Sequence, residues 1–421
     1  MSQSSVQCTL LTAARLLDGS GEPPLEGAAL LIEDGRIAHI GPRSDVRAPS
    51  GARVQEVDYG DATILPGLVD AHTHLVAPGD GSPGDDLALE GEDLLLLRGV
   101  ANARTTLHSG VTTVRDNGAK GRVAVALREG IRRGLVAGPR TVICGRPITM
   151  TGGHMYYFGS EADGVDAVRA EVRTLLKEGA DYIKIVASGG STRTSDPRRA
   201  SYTVGELRAI TEEAHRHGKL TAAHCSCAQS IENCLEAEVD MIVHCVFAEP
   251  DGTFSLRPDL VDRLAASGAW VNPTLYILRA ATEYVTARRE REGGLRPQHE
   301  ALLQGAGREL EVRMQAVRRM IRAGVKLCAG SDSPWLWYAA GGFVHEIEIL
   351  AEAGLSNGEA IISGTSGSAE SIGVGHVAGR LGPDRQADVL VVAGDPTRDL
   401  SSLRQVLDIY QAGRRVEREI R

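Results

Sequence analysis

The sequence predicts an α/β protein: a (β/α)8 barrel, or TIM barrel, with a small β-sandwich built from both ends of the chain. Three observations lead to this prediction. The middle of the chain alternates strand-like and helix-like segments, it contains eight apolar strand candidates, and both ends are rich in short strands. Eight β/α units over roughly 310 residues is the size of such a barrel. An open, doubly wound parallel sheet is the alternative that the same alternation allows.

The two ends of the chain share a strand-and-turn pattern. In residues 1–64, alternating apolar segments such as AALLIEDGRIAHIG are interrupted by the turn dipeptide Asp-Gly. Residues 376–421 contain similar segments, including ADVLVVAGDP and QVLDIYQAGRRV. Because matching ends flank a different middle, we expect 1–64 and 376–421 to pair as one small sandwich beside a barrel of residues 65–375.

The middle of the chain supplies the barrel strands. Helical segments separate most of them, such as VGELRAITEEAHRHG, in which apolar residues recur at helical spacing before a closing glycine. The eight strand candidates are residues 67–75, 111–116, 140–145, 182–188, 220–225, 241–245, 270–276 and 325–332.

Composition narrows the class of protein. The 421 residues include 46 Lys and Arg against 55 Asp and Glu, which gives a formal net charge of −9 and disfavours a nucleic-acid partner. No apolar run approaches the ~18 residues of a membrane helix, and the first residues lack the basic start of a signal peptide. The seven cysteines show no disulfide framework, so we expect a cytoplasmic protein. Closed symmetric assemblies are common, so we also expect a homo-oligomer.

Polar side chains at the predicted strand ends are the candidates for chemistry, because barrel enzymes build their sites at the C-terminal ends of the strands. Alone, each has a structural explanation: a single histidine is often a hydrogen-bonded core residue, and an aspartate after Gly-Ser is often a helix cap. Together they form a nitrogen and oxygen ligand set suited to zinc, and six ligands exceed the four of one tetrahedral ion. These residues are His72, His74, Lys184, His224, His244 and Asp332.

The segments around these residues resemble the amidohydrolase superfamily of metal-dependent hydrolases. The matches fall in order along nearly the whole chain. They are ILPGLVDAHTHL (64–75), IKIVASGG (183–190), TAAHC (221–225), IVHC (242–245), GSDSP (330–334) and ADVLVVAGDP (387–396).

The resemblance implies a role for each candidate ligand. His72 and His74 would bind one divalent metal ion, and His224 and His244 the second. Lys184 would be an N6-carboxylysine whose carbamate bridges the two ions, which removes the cost of burying a lysine cation. Asp332 would ligate the first ion and act as acid and base while a bridging hydroxide attacks the carbonyl carbon of an amide, whose C–N bond then breaks. Zinc is the expected metal, although manganese and cobalt suit the same ligands.

Three further segments point to one branch of the superfamily. Residues 146–159, 184–207 and 345–361 are most similar to the branch of Xaa-Pro dipeptidases, Xaa-Arg carboxypeptidases and ochratoxin amidases. This branch implies release of a C-terminal amino acid from a dipeptide, an N-acyl amino acid or a xenobiotic amide. A cyclic-amide or imidazolone hydrolase is the alternative within the superfamily, and a non-catalytic assembly protein is the alternative outside catalysis. A nucleobase deaminase is disfavoured, because Cys227 stands where that branch has glutamate.

Loop residues after the strands supply candidates for binding the substrate. His154, in a Gly-Gly-His segment, is predicted to reach the substrate or the transition-state oxyanion. Arg193 and Arg198 are candidates for binding a carboxylate. Tyr157 and Trp335 lie in two aromatic-rich loops, which indicates an apolar or aromatic substrate. Solvated arginines and simple packing of the two loops are the structural alternatives.

Overall fold

The computed structural model describes residues 7–292 and 297–418. Their strands are β1 (Gln7–Leu16), β2 (Leu25–Glu33), β3 (Arg36–Pro42), β4 (Arg53–Asp58), β5 (Ala62–Pro66), β6 (Leu68–Thr73), β7 (Val111–Asp116), β8 (Arg140–Ile143), β9 (Ile183–Val186), β10 (Thr221–His224), β11 (Met241–Val243), β12 (Trp270–Asn272), β13 (Lys326–Leu327), β14 (Val389–Ala393), β15 (Val406–Gln411) and β16 (Arg414–Arg415). Their helices are α1 (Glu92–His108), α2 (Val123–Arg132), α3 (Val165–Glu178), α4 (Val204–Arg216), α5 (Ala228–Glu236), α6 (Pro258–Ser267), α7 (Tyr276–Glu292), α8 (Pro297–Arg322), α9 (Val344–Glu352), α10 (Asn357–Ser363) and α11 (Ser366–Ser371).

The middle of the chain forms two parallel sheets. One has the order β6-β7-β8, and the other runs from β9 to β13 in chain order. Each of the eight predicted segments contains one of these strands. Two isolated parallel bridges connect the sheets, one between Ile148 and Ile185 and the other between Thr73 and Ser333. The C-terminal ends of all eight strands therefore share one rim.

Two helices of the parallel sheets show terminal signals that are readable in the sequence. At the start of α4, the Thr203 hydroxyl accepts from the Glu206 backbone N–H, and the Glu206 carboxylate accepts from the Thr203 backbone N–H at 2.9 Å. Helix α3 ends at Gly179, which adopts a φ of 103° that few other residues tolerate. The buried face of α3 comprises Val168, Val172 and Leu175. No helix in the described part of the chain combines the length and apolar content needed to cross a membrane.

Strands from both ends of the chain form one eight-stranded sheet. Its order is β16-β15-β14-β5-β1-β2-β3, and β4 also pairs with β1. Strand β1 pairs with β4 along its first half and with β5 at its last two residues, so the sheet branches there. Leu11, Leu30, Ile64 and Val389 share a buried apolar cluster, so the two ends share a core. The two-layer sandwich and the predicted domain boundaries stay predictions, and residues 1–6 and 419–421 lie outside the described residues.

Candidate metal centre and substrate cavity

The six predicted ligands line one cavity of about 460 Å³ at the C-terminal rim of the strands. They come from β6, β9 and β10 and from the residues that follow β6, β11 and β13, and parallel strands bring such positions to one edge. Five of them are buried and His244 is partly exposed. The cavity-lining ligands are His72, His74, Lys184, His224, His244 and Asp332.

Three of these residues place their ligating atoms at the spacing of a coordinated ion. His72 Nε2 and His74 Nε2 lie 3.3 Å apart, and each lies 3.2 Å from Asp332 Oδ1. Ligands at 2.0–2.1 Å from a tetrahedral zinc ion would be separated by roughly 3.3–3.4 Å. The two imidazoles and the carboxylate therefore form a group that could hold a metal ion.

Asn272 determines which nitrogen of His72 is free to bind metal. The Asn272 side-chain amide donates to the carbonyl oxygens of Cys328 and Gly330, at 3.2 and 3.3 Å, which directs its Oδ1 toward His72. His72 Nδ1 lies 3.0 Å from that oxygen and must donate to it. The lone pair of His72 consequently lies on Nε2, the atom that faces Asp332.

The second pair of histidines lies beside the first. His224 Nε2 lies 3.1 Å from the carbonyl oxygen of Gly189 and donates to it, which leaves the lone pair on Nδ1. His244 Nδ1 is held at 2.7 Å from the hydroxyl of Thr274. The rings of His224 and His244 are 4.5 Å apart between centroids, and His244 is 5.4 Å from the ring of His72. The four imidazoles thus surround one centre.

Burial keeps these side chains in the forms that bind metals. It lowers the pKa values of His72, His224 and His244 well below the ordinary 6.5, so these imidazoles are neutral at pH 7. Burial, assisted by the positive charge of Arg115, lowers the pKa of Lys184 to about 7. Lys184 forms no ion pair with any described residue, so a large fraction of its amine is unprotonated near neutral pH.

Two of the candidate ligands adopt strained backbone conformations. His244 has a φ of 64° and Asp332 a φ of 60°, in the left-handed region that residues with a Cβ seldom occupy. Each such residue costs of order 1 kcal/mol, and this kind of strain concentrates at functional sites. The turns after β11 and β13 therefore direct side chains into the cavity at some cost in stability.

His154 lies on the rim of the same cavity, after β8. Its Nδ1 is 2.8 Å from the Thr192 hydroxyl, and its ring centroid is 4.8 Å from that of His224. Burial lowers the pKa of His154 to about 3, so the ring is neutral. Gly190 packs directly against it, because a Cβ built at that glycine would lie 2.4 Å from His154 Cδ2. His154 is therefore held in place while Nε2 is left without a protein partner among the described residues.

The structure separates the other predicted substrate residues into two groups. Trp335 and Arg198 line the cavity, but Arg198 is already bound to the carboxylate of Asp196 through two hydrogen bonds of 2.8 and 3.0 Å. Tyr157 and Arg193 are not among the lining residues. Tyr157 and Trp335 both pack against Gly84, so the two aromatic loops contact each other. This contact corresponds to the alternative in which the two loops simply pack together.

Sequence reasoning missed several residues that shape the cavity. Asn272 is a buried polar residue within the apolar segment WVNPTLY, and its position inside a strand could have indicated a role. Arg313 and Glu309 come from the long helix α8, which precedes β13. No local motif marks that helix as part of the site, so only the tertiary structure reveals their contribution.

A profile of the amidohydrolase family matches residues 63–416, which include all six candidate ligands. This chain belongs to the amidohydrolase family. The resemblance that the sequence motifs predicted is therefore confirmed. The family is generally metal-dependent and acts on small molecules, so this amidohydrolase is a hydrolase with a potential metal site at its His-His-Asp group.

Individual relatives agree with this assignment. This amidohydrolase is 27% identical to an ochratoxinase of Aspergillus niger over 98% of this chain and 87% of the relative. A crystal structure of a Xaa-Pro dipeptidase with bound methionine superposes with a TM-score of 0.83 and 26% identity, covering 97% of this chain and all of the other. A prolidase structure in complex with N-methylphosphonate-L-proline superposes with a TM-score of 0.82 and 26% identity over 98% of this chain and all of the other.

Proposed function

We propose that this amidohydrolase cleaves an amide C–N bond and releases a C-terminal amino acid from a dipeptide, an N-acyl amino acid or a related amide such as ochratoxin. The convergence of six nitrogen and oxygen ligands on one cavity wall is the observation that carries this proposal. The similarity to an ochratoxinase and to a Xaa-Pro dipeptidase over nearly the full chain supports the choice of an amide bond.

The chain's own donor atoms fit two divalent metal ions, with zinc as the first choice. His72, His74 and Asp332 would hold one ion, because their ligating atoms lie within 3.3 Å of one another. His224 and His244 would hold the other. Lys184 would join the two as a carbamate, formed when its unprotonated Nζ adds to carbon dioxide and loses a proton. Carboxylation would convert a buried amine without an ion-pair partner into an anionic oxygen ligand.

The bound ions would supply Lewis acidity, which polarises the scissile carbonyl and lowers the pKa of water. The carboxylate of Asp332, which lines the cavity, would accept a proton from the attacking water and return it to the nitrogen of the leaving amine. His154 can donate a hydrogen bond from Nε2 to the carbonyl oxygen, provided that its Nδ1 accepts from the Thr192 hydroxyl. Trp335, whose ring is 4.8 Å from that of His74, would provide an apolar wall beside the reacting bond.

The proposal includes the architecture that supports the site. We infer that the two parallel sheets close into a single (β/α)8 barrel of residues 65–375, and the two isolated bridges between them support this closure. Residues 1–64 and 376–421 would form the accompanying sandwich. Homo-oligomeric assembly and a cytoplasmic location remain proposals from the sequence.

Amino acid release from a substrate panel tests the proposed function. The metal-reconstituted full chain would be incubated with N-acyl-phenylalanine, N-acyl-arginine and Xaa-Pro dipeptides, and the free amino acid quantified. We expect turnover of at least one compound and a loss of about 1,000-fold or more in kcat for Asp332→Asn. Failure of the wild-type protein to hydrolyse every compound, or full activity of Asp332→Asn, would overturn the proposal.

A further inference from the structure

The guanidinium of Arg313 is a buried cation on the wall of the cavity. Its Nη2 donates to the carbonyl oxygens of Pro273 and Thr274 and to the Thr274 hydroxyl, the last two at 3.2 Å. Among the described residues, neither Nε nor Nη1 has a hydrogen-bond acceptor. The carboxylate of Glu309, one helical turn earlier, lies 3.6 Å from Nη1, beyond hydrogen-bond distance. Arg313 therefore retains unused donors in a buried place.

The other cations near the cavity do not share this property. Arg198 is exposed, and its charge is already paired with the carboxylate of Asp196 through two hydrogen bonds. Arg193 does not line the cavity, and Lys184 belongs to the candidate metal centre. Among the described lining residues, Arg313 is thus the guanidinium that is buried and has no hydrogen bond to a carboxylate.

We propose that Arg313 binds the carboxylate of the substrate and makes the enzyme selective for amides whose leaving amine is an amino acid. This inference rests on the proposed function and names the substrate class of the same site. A buried guanidinium whose Nε and Nη1 lack hydrogen-bond acceptors among the described residues matches a carboxylate in charge and in geometry. Arg313, from α8, thus takes the carboxylate-binding role that the sequence had suggested for Arg193 and Arg198.

The residues around Arg313 indicate which side chain the released amino acid would carry. Val246, Ala248, Phe254 and Ile277 line the same cavity and provide an apolar surface. A carboxylate held by Arg313 would leave an apolar or aromatic side chain against these residues. The preferred leaving group is therefore an amino acid such as phenylalanine rather than arginine or lysine.

Thr274 connects Arg313 to the candidate metal centre. Its hydroxyl lies 3.2 Å from Arg313 Nη2 and 2.7 Å from Nδ1 of His244. One side chain thus contacts both the proposed carboxylate site and a candidate metal ligand. This contact holds the carboxylate end of the substrate on the His244 side of the centre and sets its position relative to the scissile bond.

Glu309 is the matched acidic partner of Arg313. Its carboxylate lies near Nη1, where it lowers the positive potential that a substrate carboxylate encounters. Removing this charge in Glu309→Gln should strengthen carboxylate binding, whereas removing the cation in Arg313→Gln should weaken it. The two substitutions therefore have opposite expected effects, which general damage to the fold would not produce.

Calorimetric binding of L-phenylalanine and L-phenylalaninol to the metal-reconstituted full chain tests the inference. The two probes differ in the carboxylate, and neither contains an amide. We expect the wild-type protein to bind the amino acid at least about tenfold more tightly, Arg313→Gln to lose this preference, and the control Arg198→Gln to keep it. Equal binding of both probes by the wild-type protein, or an unchanged preference in Arg313→Gln, would overturn the inference.

Glu309→Gln keeps the test decisive if Arg313→Gln does not fold. This variant should bind L-phenylalanine several-fold more tightly than the wild-type protein, which is roughly the effect of one partly exposed charge interaction. Its affinity for L-phenylalaninol should be unchanged. Unchanged or weaker binding of the amino acid would contradict the role of Arg313. Hydrolysis is measured separately: a carboxylate preference without any amide hydrolysis would refute the proposed function and leave the Arg313 site standing.

Discussion

His72 Nε2 and Asp332 Oδ1 lie 3.2 Å apart, although His72 belongs to the first strand of the parallel sheets and Asp332 follows the last. The amide of Asn272 fixes the proton of His72 on Nδ1, so a lone pair on Nε2 faces a carboxylate oxygen. Two electron-rich atoms at this distance repel each other unless a proton or a metal cation lies between them. The pair belongs to the His-His-Asp group that could hold a metal ion, which agrees with the general metal dependence of the amidohydrolase family.

Replacing Asn272 with alanine should weaken metal binding without removing a ligand. The variant leaves His72 free to place its proton on either nitrogen and removes the acceptor that orients the ring. Loss of such supporting hydrogen bonds typically costs 10–100-fold in metal affinity, and we expect about that range here. Competition with a chromogenic chelator measures the effect. Asn357→Ala, which removes a side-chain contact to Thr397 far from the centre, should leave the affinity unchanged.

A methyl group at Gly190 should displace His154 and slow catalysis. In Gly190→Ala the new Cβ would lie 2.4 Å from Cδ2 of His154, which is too close for the ring to keep its position. Misplacing a group that contacts the substrate commonly costs about 100-fold in kcat/KM, and we expect a loss of that order with normal metal content. Gly205→Ala is the control, since its Cβ would have 4.0 Å of clearance. Equal activity of both variants would exclude His154 from the reaction.

Removal of metal should lower the thermal stability of the protein, because the His-His-Asp group would lose its bound ion. An ion that binds only the native state adds to the free energy of unfolding, so a chelator should lower the Tm by roughly 5 °C or more. Asp332→Ala should show a smaller decrease, because it lacks one ligand of the His-His-Asp group. Differential scanning calorimetry with and without chelator provides the comparison. His39→Ala, at an exposed position in β3, should respond as the wild-type protein does.

Glu213 should make stability depend on pH in acid. Hydrogen bonds from Arg173, which donates from Nε at 2.7 Å, lower the pKa of this carboxyl to about 2 from an ordinary value of 4.5. Its contribution is therefore complete above pH 4.5 and is lost as the pH falls toward 2. Glu213→Gln should unfold at a lower urea concentration than the wild-type protein at about pH 7, and this difference should shrink below about pH 4.5. Glu212→Gln, an exposed neighbour on the same helix, should show little difference at either pH.

The residues of the site that could be predicted from the sequence were predictable for one physical reason. His72, Lys184 and His224 lie in short apolar strands, and the carboxyl ends of parallel strands meet at one rim whatever the lengths of the intervening helices. Period-two geometry in a strand also placed His72 and His74 on the same side. Position in a strand was therefore sufficient to bring these residues together.

The parts that could not be predicted depend on tertiary packing. Arg313 reaches the cavity from α8, and its place depends on how that helix packs beside the loop after β12. Arg198 was correctly placed at the cavity, but its pairing with Asp196 depends on a turn conformation that the composition of the loop does not specify. The position of Tyr157 could not be predicted for a similar reason. An aromatic residue in a loop can line a pocket or pack against a neighbouring loop, and the tertiary packing determines which of the two occurs.

Metal content per chain is the most direct test of the binuclear centre. The full chain would be reconstituted with zinc, passed over a desalting column and analysed by inductively coupled plasma mass spectrometry, beside Lys184→Ala. We predict about two ions per chain in the wild-type protein and about one or fewer in Lys184→Ala, which lacks the bridging ligand. A wild-type protein that retains only one divalent ion or none after reconstitution, or equal metal content in both proteins, would contradict the binuclear centre.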